Sequence, residues 1–186
     1  MMAEETAAVT GESGAAEATA GTIAIARQEI EYLRRWYAKA TDLLGVNTPE
    51  SIAEGTKIYH RIFTPDANIR VSGEGAPPFN AVGPDAWAEV ANSALKEYVG
   101  TQHLIGTQIV EIHELNQNAA GEIVSGKASM TSYLQAWHAG TENVLLVIGT
   151  YVDKVRFTQG IGWQVYDMNL VQVSREKRPL GSPHSN

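Results

Sequence analysis

The chain has 186 residues, 44% of them apolar and 19% charged, which is the make-up of one soluble-type globular domain with tails. It contains no cysteine, which excludes a disulfide framework, a thiolate nucleophile, an iron–sulfur cluster and Cys-ligated zinc. A formal charge of -7 with no basic stripe argues against a nucleic-acid partner, and no apolar run reaches the roughly 18 residues of a membrane helix.

Residues 1–21 are almost entirely Ala, Glu, Gly, Thr and Ser. They cannot bury enough apolar surface to offset the entropy of ordering, so a disordered acidic tail is expected there. The segment lacks the basic start and apolar core of a secretory signal, which makes the cytoplasm the expected compartment. From residue 22, Ile23, Ala26, Ile30, Leu33, Tyr37, Ala40 and Leu44 recur at helical spacing, and Gly45 supplies a stop. Thr48, Pro49 and Glu50 are an N-cap, a first-turn proline and a first-turn acid. They open a second helix to about residue 63, with Ile52, Thr56, Tyr59 and Phe63 inward. A short strand follows over 68–72. Gly83-Pro84-Asp85 then opens a third helix ending near Gly100, with Trp87, Val90, Ala94, Leu95 and Tyr98 on its apolar side.

Beyond residue 100 the period changes. Residues 101–116, 122–138, 144–159 and 163–174 are rich in Val, Ile, Thr and Tyr and are separated by short turns, so they read as long antiparallel strands. Residues 175–186 hold two prolines and Gly181 and read as a flexible C-terminal tail. Helices followed by a run of strands define an α+β domain over 22–174. Strands of this length imply a strongly curved sheet, and a sheet wrapped around a helix leaves a concave pocket.

One hairpin carries the chemistry. A two-residue turn at Ala120-Gly121 would pair Ala119 with Glu122 and so set His103 opposite His138 on one face. At period two the first histidine shares its face with Ile105, Thr107 and Ile109, and the second with Ala136, Leu134, Ser132 and Met130. Imidazoles titrate near neutral pH, so two of them on an apolar face can share proton abstraction and return. A histidine satisfied within a core reads the same way. His113 and Glu111 alternate with Ile112 as a wet face, and of the neighbours Tyr59 and His60 only the tyrosine is inward. No His, Asp or Glu set has metal-ligand spacing. Gly73-Glu74-Gly75 leads into Ala-Pro-Pro rather than a helix, and no serine stands in a nucleophile elbow, so neither metal nor cofactor is expected.

Thr101-Gln102-His103-Leu104-Ile105-Gly106 resembles the TQHxIG segment of the scytalone dehydratase-like, SnoaL-like enzymes of the NTF2-like superfamily. Ser132 to His138 falls where those enzymes carry a second histidine, and Tyr37-Ala38-Lys39-Ala40-Thr41-Asp42 is similar to their YAxxxD signature. The resemblance implies a cone-shaped fold with three N-terminal helices packed on a curved, mostly antiparallel mixed sheet. It implies His103 as general base, Asp42 orienting it, and His138 assisting on the leaving-group side. Tyr37, five residues before the aspartate as in bile-acid 7α-dehydratase, would be the phenol donor. Thr41 and Val71 stand where scytalone dehydratase has its two carbonyl-polarising tyrosines. Hexachlorocyclohexane dehydrochlorinase uses an arginine on the strand that here carries Thr150, Lys154 and Arg156. Tyr59, Val71, Thr150, Arg156 and Asn169 are accordingly the expected substrate contacts. Three functions are open: a cofactor-independent lyase acting on a small hydrophobic cyclic or aromatic substrate, a polyketide cyclase or isomerase using the same base, and a non-catalytic ligand-binding protein. The outer sheet face around Tyr133 and Trp137 suggests a homodimer or homotrimer.

Overall fold

In a computed structural model of the chain, residues 18–74 and 78–180 are described. Their elements are α1 (Ala20–Val46), α2 (Pro49–Ile62), β1 (Phe63–Gly73), β2 (Phe79–Val82), α3 (Pro84–Leu95), β3 (Gly100–Gln117), β4 (Ile123–Ala139), β5 (Asn143–Thr158) and β6 (Gly162–Pro179). Most of the acidic tail expected at the N-terminus lies outside the described residues. Its end does not: Thr19 caps α1 by accepting from the Thr22 amide at 3.1 Å. Thr48 and Ser51 close a capping box around the start of α2. No helix among the described residues is long and apolar enough to cross a membrane.

The strands form one open sheet in the order β2-β1-β6-β5-β4-β3, antiparallel throughout except where β1 runs parallel to β6. The helices pack on its concave face. The α1 stripe foreseen from the sequence is buried there, and Met130, Leu134, Val147, Val155, Met168 and Leu170 meet it from the sheet. On the outer face Leu104, Ile109, Tyr133, Ile148 and Val152 remain exposed.

Several sequence-based boundaries change, β1 among them, which starts at Phe63 rather than residue 68. α3 stops at Leu95 rather than near Gly100, because Val99 already donates to the Ala139 carbonyl at 2.7 Å and draws the chain into β3. β6 continues to Pro179 against β5, so part of the segment expected as a flexible tail is strand; residues 181–186 lie outside the described residues. β1 ends at Gly73, opposite Gln172, so the last part of β6 is an edge where a proline is tolerated. Gly73 itself has φ +94°, and a Cβ there would fall 2.3 Å from the Gln172 carbonyl.

The hairpin register changes as well. Asn118 Oδ1 accepts from the Ala120 and Glu122 amides, giving a wider turn than Ala120-Gly121 alone. Next to it Asn116 faces Ser125, as the sequence register required, but β3 then slips by one residue at His113 and again at Thr107–Gln108. Thr107 takes a left-handed φ of 41° to do so. His103 therefore faces Ala136, and His138 faces Thr101. Two single slips restore parity, so both histidines stay on the concave face, now diagonal. Past the Thr107 bulge the inward positions are Gln108, Val110 and Ile112, so Thr107 and Ile109 turn outward instead of sharing the face of His103.

One buried contact breaks the apolar pattern. Arg34 of α1 and Asp153 of β5 form an ion pair with side chains only 1% and 0% exposed. Arg34 also donates Nε to Asp153 at 3.2 Å and Nη1 to Met168 Sδ at 3.4 Å. Removing one member of such a pair strands a charge in the core. Asp153→Ala is expected to cost about 3–5 kcal/mol, while the double replacement Arg34→Met/Asp153→Leu loses far less. Urea denaturation of the three proteins measures the difference.

Candidate active site

The cone holds a cavity of about 240 Å³ between α1, α3 and the sheet. Its walls are mostly apolar, with Val71, Leu134, Ala136, Val147 and Leu170 among them. Polar groups enter it from three directions.

The first is the wall formed by β3. Asp42, near the C-terminus of α1, sits where the helix dipole disfavours a carboxylate. Three donors compensate: His103 Nδ1 at 2.7 Å, the His103 amide at 3.2 Å and Thr101 Oγ1 at 3.1 Å. The inward alternation of Thr101 and His103 along β3 delivers all three to one carboxylate. His103 is only 7% exposed and its ring lines the cavity. With Nδ1–H given to Asp42, Nε2 holds a lone pair.

His138 on β4 is the second. Its ring centroid is 5.6 Å from that of His103, edge to face, and 5.1 Å from Tyr98. Its Nδ1 donates to the Leu145 carbonyl at 3.3 Å, so its Nε2 is also an acceptor. Burial, reinforced by the neighbouring His103, lowers its pKa to about 4. This imidazole is neutral at physiological pH.

The floor is the third. Tyr37 stacks on Tyr59 (centroids 5.5 Å apart) and meets Tyr151 edge-on at 5.3 Å. The Arg34 guanidinium lies over both Tyr37 and Tyr151, 4.4 and 3.8 Å from their ring centroids. Burial pushes the Tyr37 phenol above its usual value, and Tyr59 and Tyr151 well above it, while Arg34 opposes the shift. All three are neutral hydroxyls. Trp87 Nε1 donates to the Tyr37 hydroxyl at 3.2 Å.

Of the residues singled out by sequence, His103, His138, Tyr37 and Val71 line the cavity, and Asp42 stands behind His103. Tyr59 does not reach it. Thr41 Oγ1 donates to the Tyr37 carbonyl at 2.8 Å, so the Tyr59 hydroxyl donates to Thr41 at 2.6 Å, inside the core. Thr150, Arg156 and Asn169 also lie off the cavity. The inward residues of β5 are Val147, Gly149, Tyr151, Asp153 and Val155, and Thr150 and Arg156 have the opposite parity. Arg156 pairs with Asp66 at 2.9 Å, and Asn169 accepts from Ser72 Oγ at 3.0 Å. Tyr151 escaped the sequence reading although its parity with Val147 and Val155 marks it. Gln172 and Arg175 also line the cavity, and no sequence period signals them.

The SnoaL-like domain family model matches residues 57–169. No curated protein matches the chain by sequence. Among solved structures, a proposed scytalone dehydratase from Novosphingobium aromaticivorans is similar over 90% of this chain and 99% of its own, at 19% identity and a TM-score of 0.61. A proposed aromatic ring hydroxylase from the same organism is 23% identical over 84% of this chain and 94% of its own, with a TM-score of 0.61. Hexachlorocyclohexane dehydrochlorinase type 3 from Novosphingobium barchaimii is 15% identical over 87% and 94%, with a TM-score of 0.60. The shared property is the NTF2-like fold.

The depressed His138 pKa has a consequence for stability. An unfolded chain binds a proton at this histidine near the ordinary pKa of about 6.5, whereas the folded chain resists until about pH 4. Stability from this group is thus complete above the unfolded value and falls as the pH drops through that window. Denaturation midpoints between neutral pH and pH 4 should decline in the wild type, and His138→Gln should remove part of the decline.

Proposed function

The chain belongs to the SnoaL-like domain family, and on that premise we propose that it is a cofactor-independent lyase acting on a small hydrophobic cyclic substrate. The observation that carries this reading is a histidine held by a carboxylate at 2.7 Å in the wall of an apolar cavity, with neutral phenols on the floor. His103 Nε2 takes a proton from the carbon beside a carbonyl, and Asp42 stabilises the imidazolium that results. The C–H electron pair becomes the enolate. The Tyr37 hydroxyl, with Tyr151 beside it, donates to the developing oxyanion. The enolate then expels the β-hydroxyl, which leaves as water after receiving a proton.

The tautomers decide which group returns that proton. His138 Nε2 carries none, since its Nδ1–H is committed to the Leu145 carbonyl. The proton therefore comes back from the His103 imidazolium, and base and leaving group share one face of the substrate. His138 accepts the hydrogen bond of the departing hydroxyl and holds it within reach of His103. This gives His138 the part of hydrogen-bond acceptor on the leaving-group side. The phenols of Tyr37 and Tyr151 stand in for those that Thr41 and Val71 lack.

Cyclic β-hydroxy ketones incubated in deuterium oxide test the reading, because loss of the α-proton and loss of water are followed separately. Elimination by the wild type should fall about 10²–10⁴-fold in His103→Gln. Tyr37→Phe should lower the rate while leaving the proton-exchange pH profile in place. Exchange at the α-carbon without loss of water would point to an isomerase or cyclase, and no exchange with any member would sink proton abstraction altogether.

The exposed outer-face residues support a second element of the proposal, that copies of the chain associate through this sheet. Sedimentation equilibrium should give a dimer or trimer, and Tyr133→Glu/Ile148→Glu should give a monomer with an unchanged fold.

A further inference from the structure

One permanently charged side chain lines the apolar cavity, and the proposed reaction leaves it unused. It is Arg175 of β6. Strict alternation would turn it away. Gln172 faces inward opposite Gly149, so three residues later the chain should point to the outer face. Instead β6 carries an extra residue, Val173, between the pairs Gly149–Gln172 and Ile148–Ser174. The bulge reverses parity, and Arg175 pairs with the inward-facing Val147. Glycine is built into the partner strand here, since a Cβ at Gly149 would lie 2.9 Å from both the Leu170 side chain and the Val171 carbonyl.

Two polar side chains thus reach the cavity from either side of the bulge, and among the described residues neither the Arg175 guanidinium nor the Gln172 amide oxygen has a partner. Among the described residues, no carboxylate lies within ion-pair distance of Arg175. The Gln172 amide oxygen is buried without a hydrogen-bond partner. Lys177, two residues further along the same face opposite Leu145, adds a second positive charge outside the rim. Glu176 is turned away and is paired with Arg178 at 2.7 Å. A guanidinium with no carboxylate partner among the described residues, at the mouth of an apolar cavity, is a receptor for a planar anion.

We propose that Arg175 binds a carboxylate on the substrate, so that the ligand of this cavity is a hydrophobic acid rather than a neutral ring compound. The inference rests on the cavity being the substrate site, and it specifies the substrate class. The carboxylate lies at the mouth on Arg175, with the Gln172 amide beside it, and the apolar body extends inward past His138 and His103 toward Tyr37.

Paired probes test it: benzoate against benzamide and 2-naphthoate against 2-naphthamide. Binding is measured by calorimetry and by shifts of the His103 and His138 ring resonances. The wild type should bind each acid about tenfold more tightly than its amide; Arg175→Gln should abolish that preference without weakening the amide, and Arg175→Lys should retain part of it. Arg175 is exposed and makes no ion pair among the described residues, so thermal midpoints of the variants should match the wild type. Equal binding of acid and amide, a preference that survives Arg175→Gln, or no binding of either acid at millimolar concentration would each overturn the proposal. His103→Gln separates the two readings. An acid preference that persists there supports the anion site independently of the base, and a wild type that binds the acids but eliminates from no ketone removes the lyase. Elimination from neutral and acidic ketones at equal rates does the reverse.

Discussion

The rest of this molecule is arranged around the ion pair between Arg34 and Asp153, which occupies the driest part of the core. Moving two charges out of water is costly, and the cost is recovered only if the geometry is good and every donor finds a partner. Here the carboxylate takes two guanidinium nitrogens, Met168 sulfur takes another, and the rings of Tyr37 and Tyr151 cover the cation. Few rotations of α1 about its axis meet all these demands. Once α1 is set at Arg34, Tyr37 is on the cavity floor one turn later and Asp42 is brought to the start of β3. A contact remote from the proposed chemistry thereby orients both the phenol and the carboxylate that serve it.

The sheet supplies the other half by counting residues. In β3 two bulges cancel, so His103 keeps the face that simple alternation assigns while moving from opposite His138 to a diagonal position. In β6 one bulge at Tyr166 turns Met168, Leu170 and Gln172 inward, and a second at Val173 reverses the parity again and turns Arg175 inward. Bulges also increase local twist, which bends these long strands into a cone. Curvature and side-chain delivery therefore have one cause.

Electrostatically, the two imidazoles are made unequal by what each Nδ1–H meets. A carboxylate anion holds that of His103, and an uncharged carbonyl holds that of His138. Burial and the adjacent ring oppose protonation of the second. Two histidines side by side in one cavity can thus serve the proposed reaction as base and as hydrogen-bond acceptor.

How much of this was legible beforehand follows the range of the forces involved. Caps at Thr48 and Pro49, the apolar stripe of α1 and the change of period near residue 100 are local, and they located the helices and the four long strands. The TQHxIG segment and the aspartate near the end of α1 marked His103 and Asp42 for the same reason, since each lies in a short motif. Tyr151 was readable from parity and overlooked; Thr150, Arg156 and Asn169, expected as substrate contacts, have outward parity, and Tyr59 faces inward but stops at Thr41. Arg34 and Asp153 carried no signal, because a charged residue beside an apolar stripe looks solvated until its partner, 119 residues away, is folded onto it. Nor did Arg175, whose direction depends on one unpaired residue in a ladder. By itself the sequence determined the three helices, the four long strands, their order and the candidate base, but not the short β2; the tertiary structure alone decided which side chains share a cavity, because strand register and bulges are set by pairing between distant segments and not by the residues within one.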